Sequence, residues 1–158
     1  MARWKGNLLS QASKITLLKA CFQSIPTYAL SLFKIPGKFV DTIDKIQRNF
    51  LWTGTEEKKR MALIIWDQIC KPIREGGLGI RPIVSMNRAL LAKNGWRTYH
   101  DDKEWCTIWK HKYLFNVNSL AEFLSSPNIL SPSTIWGAVQ GTKNILGKGC
   151  SSKIGNEQ

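Results

Sequence analysis

The chain lacks the features that mark membrane-spanning, secreted and zinc-binding proteins. Its longest apolar run covers only residues 61–66, far too short to cross a bilayer, and its N-terminus has no signal-peptide segment. The four cysteines are few and widely spaced, and the closest two, Cys70 and Cys106, are too far apart for the paired spacing of a zinc site. These absences predict a soluble intracellular protein with free, mostly buried thiols and no metal or other cofactor.

Acidic residues are also scarce. The 158 residues include 11 Asp and Glu against 23 Lys and Arg, which gives a formal net charge of +12 and a pI near 9.8. Residues 1–40 contain no acid at all. Because charge of one sign steers association with polyanions, nucleic acid or an anionic membrane surface is the default partner.

Apolar spacing predicts a mainly α fold, an irregular array of about five helices with long loops. In the first helix, residues 8, 12, 15, 18, 22 and 25 form an apolar stripe with Lys14 and Lys19 at its margins. In the second helix, the stripe is Phe39, Ile43, Ile46 and Phe50. The remaining predicted helices cover residues 82–99, residues 104–115 and a segment capped by Ser133 or Thr134 and ended by a left-handed Gly147.

Two segments between these helices have no regular helical pattern along their whole length. Residues 61–66 fit either a short strand, which leaves room for one strand pair, or the start of a helix. Residues 116–132 are predicted to be loop with one helical turn near residues 120–124. The chain is expected to comprise a helical segment at residues 1–52 and a helical region at residues 53–158, joined as one continuous unit.

The GGLG sequence at residues 76–79 is the most distinctive local motif. It lacks the spacing of known phosphate-binding loops, and no βαβ pattern surrounds it. Glycines permit positive φ, so the motif is expected to form a tight corner between helices.

The segment that follows this corner carries unbalanced positive charge. Lys93 and Arg97 stand at i and i+4 on one predicted helix, and no acid occurs at residues 77–99. Like charges in this register repel, so the helix should be more stable beside a polyanion. A solvated basic face is the alternative for any single residue. The predicted nucleic-acid contacts are Lys5, Lys14, Lys19, Arg74, Arg81, Arg88, Lys93 and Arg97.

No catalytic or metal site is predicted. Tyr99, His100, Asp101 and Asp102 match the YxDD pattern of a polymerase site, but two-metal catalysis needs carboxylates converging from a hairpin and a further strand. These residues follow a predicted helix, and Asp102 is expected to cap the next one. His100 and a second histidine, His111, lack a partner constellation and are expected at the surface. The seven tryptophans could stack on unpaired bases, but most fall on apolar stripes, so at least five are expected in the core or under a neighbouring domain.

The ordered motifs resemble plant non-LTR (LINE-type) retroelement reverse transcriptases in the region downstream of the polymerase palm. The resemblance rests on Trp66, Cys70, Pro72, GGLGIR (76–81), Asn87, ALLAK (89–93) and Trp96-Arg97, with LLSQASKITLLKA, SIPTYALSLFKIP and RNFLWTG upstream and KYL, STIW and KIGN downstream. It implies the thumb-like end and the linker before the zinc-binding and RNase H-like parts of an RNA-directed DNA polymerase. The aspartate pair of such an enzyme would lie upstream of Trp4, so a truncated, non-catalytic piece is expected.

By the same resemblance, the chain would contact RNA or an RNA/DNA hybrid through phosphates, in the nucleus or an organelle, and could pack against missing domains. A structural or protein-interaction remnant without retained activity is the competing hypothesis. In that case the positive charge would contribute only solubility.

Overall fold

The computed structural model is mainly helical in the part of the chain that it describes, which is residues 9–53, 62–114, 117, 119–128 and 133–149. These residues contain no strand, and the mainly α prediction is confirmed. Residues 62–65 are irregular and lead into a helix. The helices are α1 (Gln11–Leu17), which continues as a π-helical turn (Leu18–Phe22), α2 (Thr27–Leu32), α3 (Gly37–Thr53), α4 (Trp66–Ile69), a 3₁₀ turn (Ile73–Glu75), α5 (Ile83–His100), α6 (Glu104–Tyr113), α7 (Leu120–Ser125), α8 (Thr134–Gln140) and α9 (Lys143–Gly149).

The chain divides into two compact units. The first comprises Met1–Leu30 and Ile35–Asn87, and the second comprises Ser31–Lys34 and Arg88–Gln158. The boundaries pass through α2 and α5, so each of these helices contributes to both units.

The core of the first unit forms around the buried side chains Leu18, Leu51, Trp66, Ile69 and Ile80. Helix α1 begins at Ser10, whose hydroxyl oxygen accepts a hydrogen bond from the Ser13 backbone N–H at 3.2 Å. This bond satisfies one of the donors that a helix start leaves free. The first unit therefore combines a capped amphipathic helix with the apolar faces of α3 and α4.

The apolar stripes predicted for α1 and α3 are partly wrong. In the predicted first helix, Leu18 is buried as expected, but Ile25 is exposed. Lys14, expected at the margin of the stripe, is buried within α1. The π-helical turn holds more residues per turn than an α-helix, so it rotates later side chains off the stripe. In α3, the buried face lies one residue later than predicted, and Phe39 and Ile46 are exposed. The buried residues of α3 are Val40, Gln47 and Leu51.

The second unit has an aromatic core centred on Trp136, which is fully buried. The Tyr113 ring stacks on it with centroids 4.8 Å apart, and the rings of Trp109 and Phe123 lie at 5.4 and 5.8 Å. Helix α5 approaches this core closely at Gly95, where an added Cβ would lie 3.0 Å from a Leu146 methyl carbon.

The predicted helix ends are confirmed in some places and wrong in others. Ser133 caps α8 by accepting from the Trp136 N–H at 3.3 Å, and α5, α6 and α7 lie close to their predicted positions. The single helix predicted after Ser133 breaks at Gly141 into α8 and α9. Gly147 therefore lies inside α9, without the positive φ predicted for a helix end. The cap of α6 is Lys103 and not Asp102, and no side chain accepts a hydrogen bond there.

Two asparagines of α5 form hydrogen bonds to the last turn of α2 and to the segment that follows it. Within the first unit, the Asn87 side chain donates to the Leu30 carbonyl at 2.6 Å and accepts from the Ile35 N–H at 3.2 Å. Within the second unit, the Asn94 side chain donates to the Ser31 carbonyl at 2.7 Å. These bonds satisfy two carbonyls of the last turn of α2 and one N–H group beyond it.

The three cysteines that the structure describes are free thiols, as predicted. Cys106 is buried, whereas Cys21 is exposed, so the expectation of mostly buried thiols is wrong for Cys21. Burial raises the pKa of Cys70 to about 11, with the nearby carboxylates of Asp44 and Asp67 adding to the shift. A thiol with so high a pKa is a poor nucleophile at neutral pH.

Candidate nucleic-acid interface

The glycine corner lies in the first unit and is a tight turn, as the sequence predicts. Gly76 and Gly79 have φ values of 80° and 67°. The Leu78 and Gly79 N–H groups donate to the carbonyls of Ile69 and Lys71, both at 2.9 Å. These backbone donors are therefore engaged within the turn and do not point together into a phosphate cradle.

Gly77 allows the closest backbone approach in this corner. A Cβ atom added to it would fall 2.0 Å from the Lys71 carbonyl oxygen. The absence of a side chain is therefore required by a neighbouring backbone atom. This requirement is separate from the positive φ of Gly76 and Gly79.

The predicted contact residues of the first unit differ in their position and exposure. A Cβ on Gly79 would lie 3.8 Å from the Nζ of Lys19, which places that ammonium against the turn. Arg74 belongs to the 3₁₀ turn before the corner and Arg81 follows it, and both are exposed. Lys14, expected at the margin of α1, is buried and leaves little side chain for a ligand. Lys5 lies outside the described residues.

The second unit presents the other predicted contacts on α5. Arg88 and Lys93 are exposed, as contact with the phosphate backbone of a nucleic acid requires. Lys93 shares a face of α5 with Trp96 and His100, which are also exposed, and this face is opposite the buried one.

Arg97 does not carry the unpaired charge expected of it. Its Nε donates to a carboxylate oxygen of Asp101 at 2.8 Å, and its guanidinium lies 5.7 Å from the Trp105 ring centroid. This hydrogen bond lowers the pKa of the Asp101 carboxyl. The acid lies just beyond the acid-free segment, one turn after Arg97, so the pairing register could have been read from the sequence.

The YxDD-like tetrapeptide forms no hairpin. Tyr99 and His100 complete the last turn of α5, and Tyr99 packs against Phe123 with centroids 5.5 Å apart. Burial raises the pKa of Tyr99. Asp101 is engaged with Arg97, and the described residues contain no group of three or more side chains able to hold a metal ion.

A ring pair on α5 is the feature that sequence reasoning missed. The Trp96 indole and His100 imidazole stack with centroids 3.8 Å apart and planes inclined by only 9°. His100 Nδ1 lies 3.0 Å from the Trp96 carbonyl oxygen, a hydrogen bond if that nitrogen carries the proton. Their i,i+4 spacing was the available signal, because it places two rings side by side on a helix.

Lys143 is a buried cation at a cleft of about 360 Å³ in the second unit. Its Nζ donates to the Ser126 carbonyl at 2.8 Å and hydroxyl at 3.2 Å, and lies 4.6 Å from the Phe123 ring centroid. Ser126 ends α7, so a cation is favourable beside the last carbonyls of that helix. The role of Lys143 is accordingly to hold the end of α7.

We expect the stability contribution of Lys143 to change with pH. Burial lowers its pKa below the ordinary 10.5, so the unfolded chain binds more protons between the folded and unfolded pKa values. Relative to Lys143→Met, the wild-type free energy of unfolding should therefore be constant at neutral pH and rise as pH increases through that interval. Urea denaturation of both proteins at pH 7 and pH 10 tests this. A difference that falls at pH 10 would contradict it.

No helix in the described part of the chain is long and apolar enough to cross a membrane.

Sequence comparison finds plant relatives. Over 114 residues, 72% of this chain, it is 40% identical to an Arabidopsis thaliana protein that carries the name ribonuclease H protein, and it spans 18% of that relative's length. It is also 26% identical over 134 residues, 84% of this chain and 85% of the relative, to an uncharacterized mitochondrial protein of Arabidopsis thaliana. No protein-family model matches the chain, and no solved structure matches it. The chain is therefore similar to plant proteins, one of them several times longer than itself.

Proposed function

We propose that the chain is a non-catalytic part of a plant retroelement reverse transcriptase-like protein, and that it contacts the phosphate backbone of RNA or an RNA/DNA hybrid. The motif order supports the family. The first relative supports it too, because the resemblance expects RNase H-like parts further along such a protein.

The exposed face of α5 carries the proposal of nucleic-acid contact. Lys93 stands there in solvent, and residues 77–99 contain no acid. Such a face attracts a polyanion, and displaced counterions add a favourable term to binding. Arg88 on α5, and Arg74 and Arg81 in the first unit, are further exposed cations available to phosphates.

Salt dependence tests this function. We expect a Kd on the order of micromolar for single-stranded RNA of arbitrary sequence at low salt. With about six phosphate contacts, the log-log slope of affinity against salt should be about −4. Fluorescence anisotropy of a labelled oligonucleotide with the 158-residue chain measures both quantities. Absence of binding at low salt would refute the proposal.

Two substitutions, one on α5 and one directly after it, should change affinity in opposite directions. Lys93→Gln removes one phosphate contact and should make the slope shallower by about 0.7. Asp101→Asn releases the Arg97 guanidinium from its carboxylate at 2.8 Å and should raise affinity. Lys148→Gln is the matched control, because Lys148 is an exposed lysine of α9 outside the predicted contacts. Equal slopes for Lys93→Gln and the wild type would exclude this face from the interface.

A protein-interaction module is the second candidate. The exposed Phe39 and Ile46 on α3 favour it, because their seven-residue spacing places two large apolar side chains on one face. Salt-insensitive binding of a protein partner, lost when both residues are replaced by serine, would support this function in place of the first.

A further inference from the structure

The rings of Trp96 and His100, called here the ring platform, stack on each other, and both residues are exposed. The Trp96 indole remains 39% exposed, whereas the aromatic core of the second unit fully buries another tryptophan, Trp136. Both residues lie outside the buried face of α5, which includes Gly95 and meets that core. The platform is therefore directed away from the apolar interior.

The helix holds the platform rigidly. The i,i+4 spacing brings the rings to a centroid distance of 3.8 Å, and the contact between His100 Nδ1 and the Trp96 carbonyl at 3.0 Å restrains the imidazole. A preformed surface loses little conformational entropy when a third ring stacks on it. Offset or parallel stacking on an exposed aromatic face is open to any planar ring.

The charged residues near the ring platform bear on which planar ligand could stack there. Lys93 lies one turn before Trp96 on the same exposed face, and Lys103 follows the end of α5. Of the acids that follow α5, Asp101 is engaged by Arg97 at 2.8 Å, whereas Asp102 and Glu104 are exposed and lie further along the chain from Lys93 and Trp96. A planar ligand that also carries negative charge fits these surroundings better than an apolar peptide does. An unpaired nucleotide has both properties.

We infer that the ring platform is a stacking site for an unpaired base of single-stranded RNA, with Lys93 contacting an adjacent phosphate. This inference rests on the proposed function and specifies its ligand, because paired bases within a duplex have no free face to offer. Base stacking is tolerant of sequence, since every base has a π face.

The decisive experiment compares a single-stranded RNA oligonucleotide with one of equal length in which the bases are removed and the phosphates retained. We expect the wild-type chain to bind the base-bearing strand about 5- to 150-fold more tightly, the range for one stacked base. Trp96→Leu, which keeps apolar bulk without an aromatic face, should abolish that preference and leave the salt slope unchanged. Trp96→Phe should retain part of it.

Controls separate this inference from the proposed function. Ile108→Ala truncates another exposed apolar residue of the second unit and should leave the preference intact. Far-UV circular dichroism establishes that each variant is folded. If the wild-type chain binds both strands equally, or Trp96→Leu retains the preference, the platform is overturned while phosphate binding stands. If the chain binds neither strand at low salt, both proposals fail.

Discussion

Replacement of Trp136 by alanine is expected to lower the free energy of unfolding by about 3–5 kcal/mol, the range for emptying a large aromatic site in a packed core. Trp136 is fully buried and contacts the rings of Trp109, Tyr113 and Phe123. Removing the indole therefore loses its own burial and leaves three aromatic neighbours facing a cavity. Urea denaturation followed by far-UV circular dichroism measures the change.

Trp96→Ala is the matched control, because it removes the same side chain from an exposed site of the same unit. Its effect on unfolding should be clearly smaller, and Trp136→Phe should fall between the two. Equal losses for Trp136→Ala and Trp96→Ala would show that the aromatic cluster is not the core of the second unit.

Gly77→Ala should destabilise the first unit by about 3 kcal/mol, near the upper end of ordinary overpacking effects. The new methyl group would fall 2.0 Å from the Lys71 carbonyl oxygen, a backbone atom that cannot rotate away. The chain would have to shift at residues whose N–H groups and carbonyls form the hydrogen bonds of the turn. The same denaturation measurement tests the prediction.

Two other glycines provide graded controls. Gly76 has φ of 80° but open space around a Cβ, so Gly76→Ala should cost only the backbone strain of about 1 kcal/mol. Gly37 has neither restraint, and Gly37→Ala should be neutral or slightly stabilising. A Gly77→Ala variant as stable as Gly76→Ala would refute the close approach to Lys71.

Local signals predicted several elements well. Pro82 marked the start of α5, and the break near Tyr99 separated α5 from α6. The single turn predicted within residues 116–132 corresponds to the short helix α7. Ser133 was identified as a cap because a hydroxyl there can accept from the first free N–H groups. The glycine corner was identified because only glycine readily adopts positive φ. Each of these depends on neighbours within a few residues.

Which side of a helix faces the core was less predictable. Two stripes compete on α3, and the buried one includes the polar Gln47 while Phe39 remains exposed. In α1, the π-helical turn changed the register that a period of 3.6 assumes. On α3, tertiary packing buried a face with fewer apolar residues than the predicted one, an outcome that apolar counting cannot predict.

In the candidate interface, too, some features could be predicted from the sequence and others depended on tertiary packing. Arg88 and Lys93 are exposed, as charged side chains on a helix usually are. Arg97 was misjudged because its partner Asp101 lies beyond the helix end. The stacking of His100 on Trp96 was open to inference from spacing, but its exposed position depended on which face of α5 the second unit buries.

The amino-acid sequence by itself determined the helical class, the excess of positive charge, the glycine turn and several helix ends, because these depend on composition and on contacts between near neighbours. Only the tertiary structure decided that Lys14 is buried, that Val40 and not Phe39 faces the core on α3 and that Trp96 is exposed. Those outcomes depend on packing between segments distant in sequence, where small differences in burial and charge decide between alternative faces.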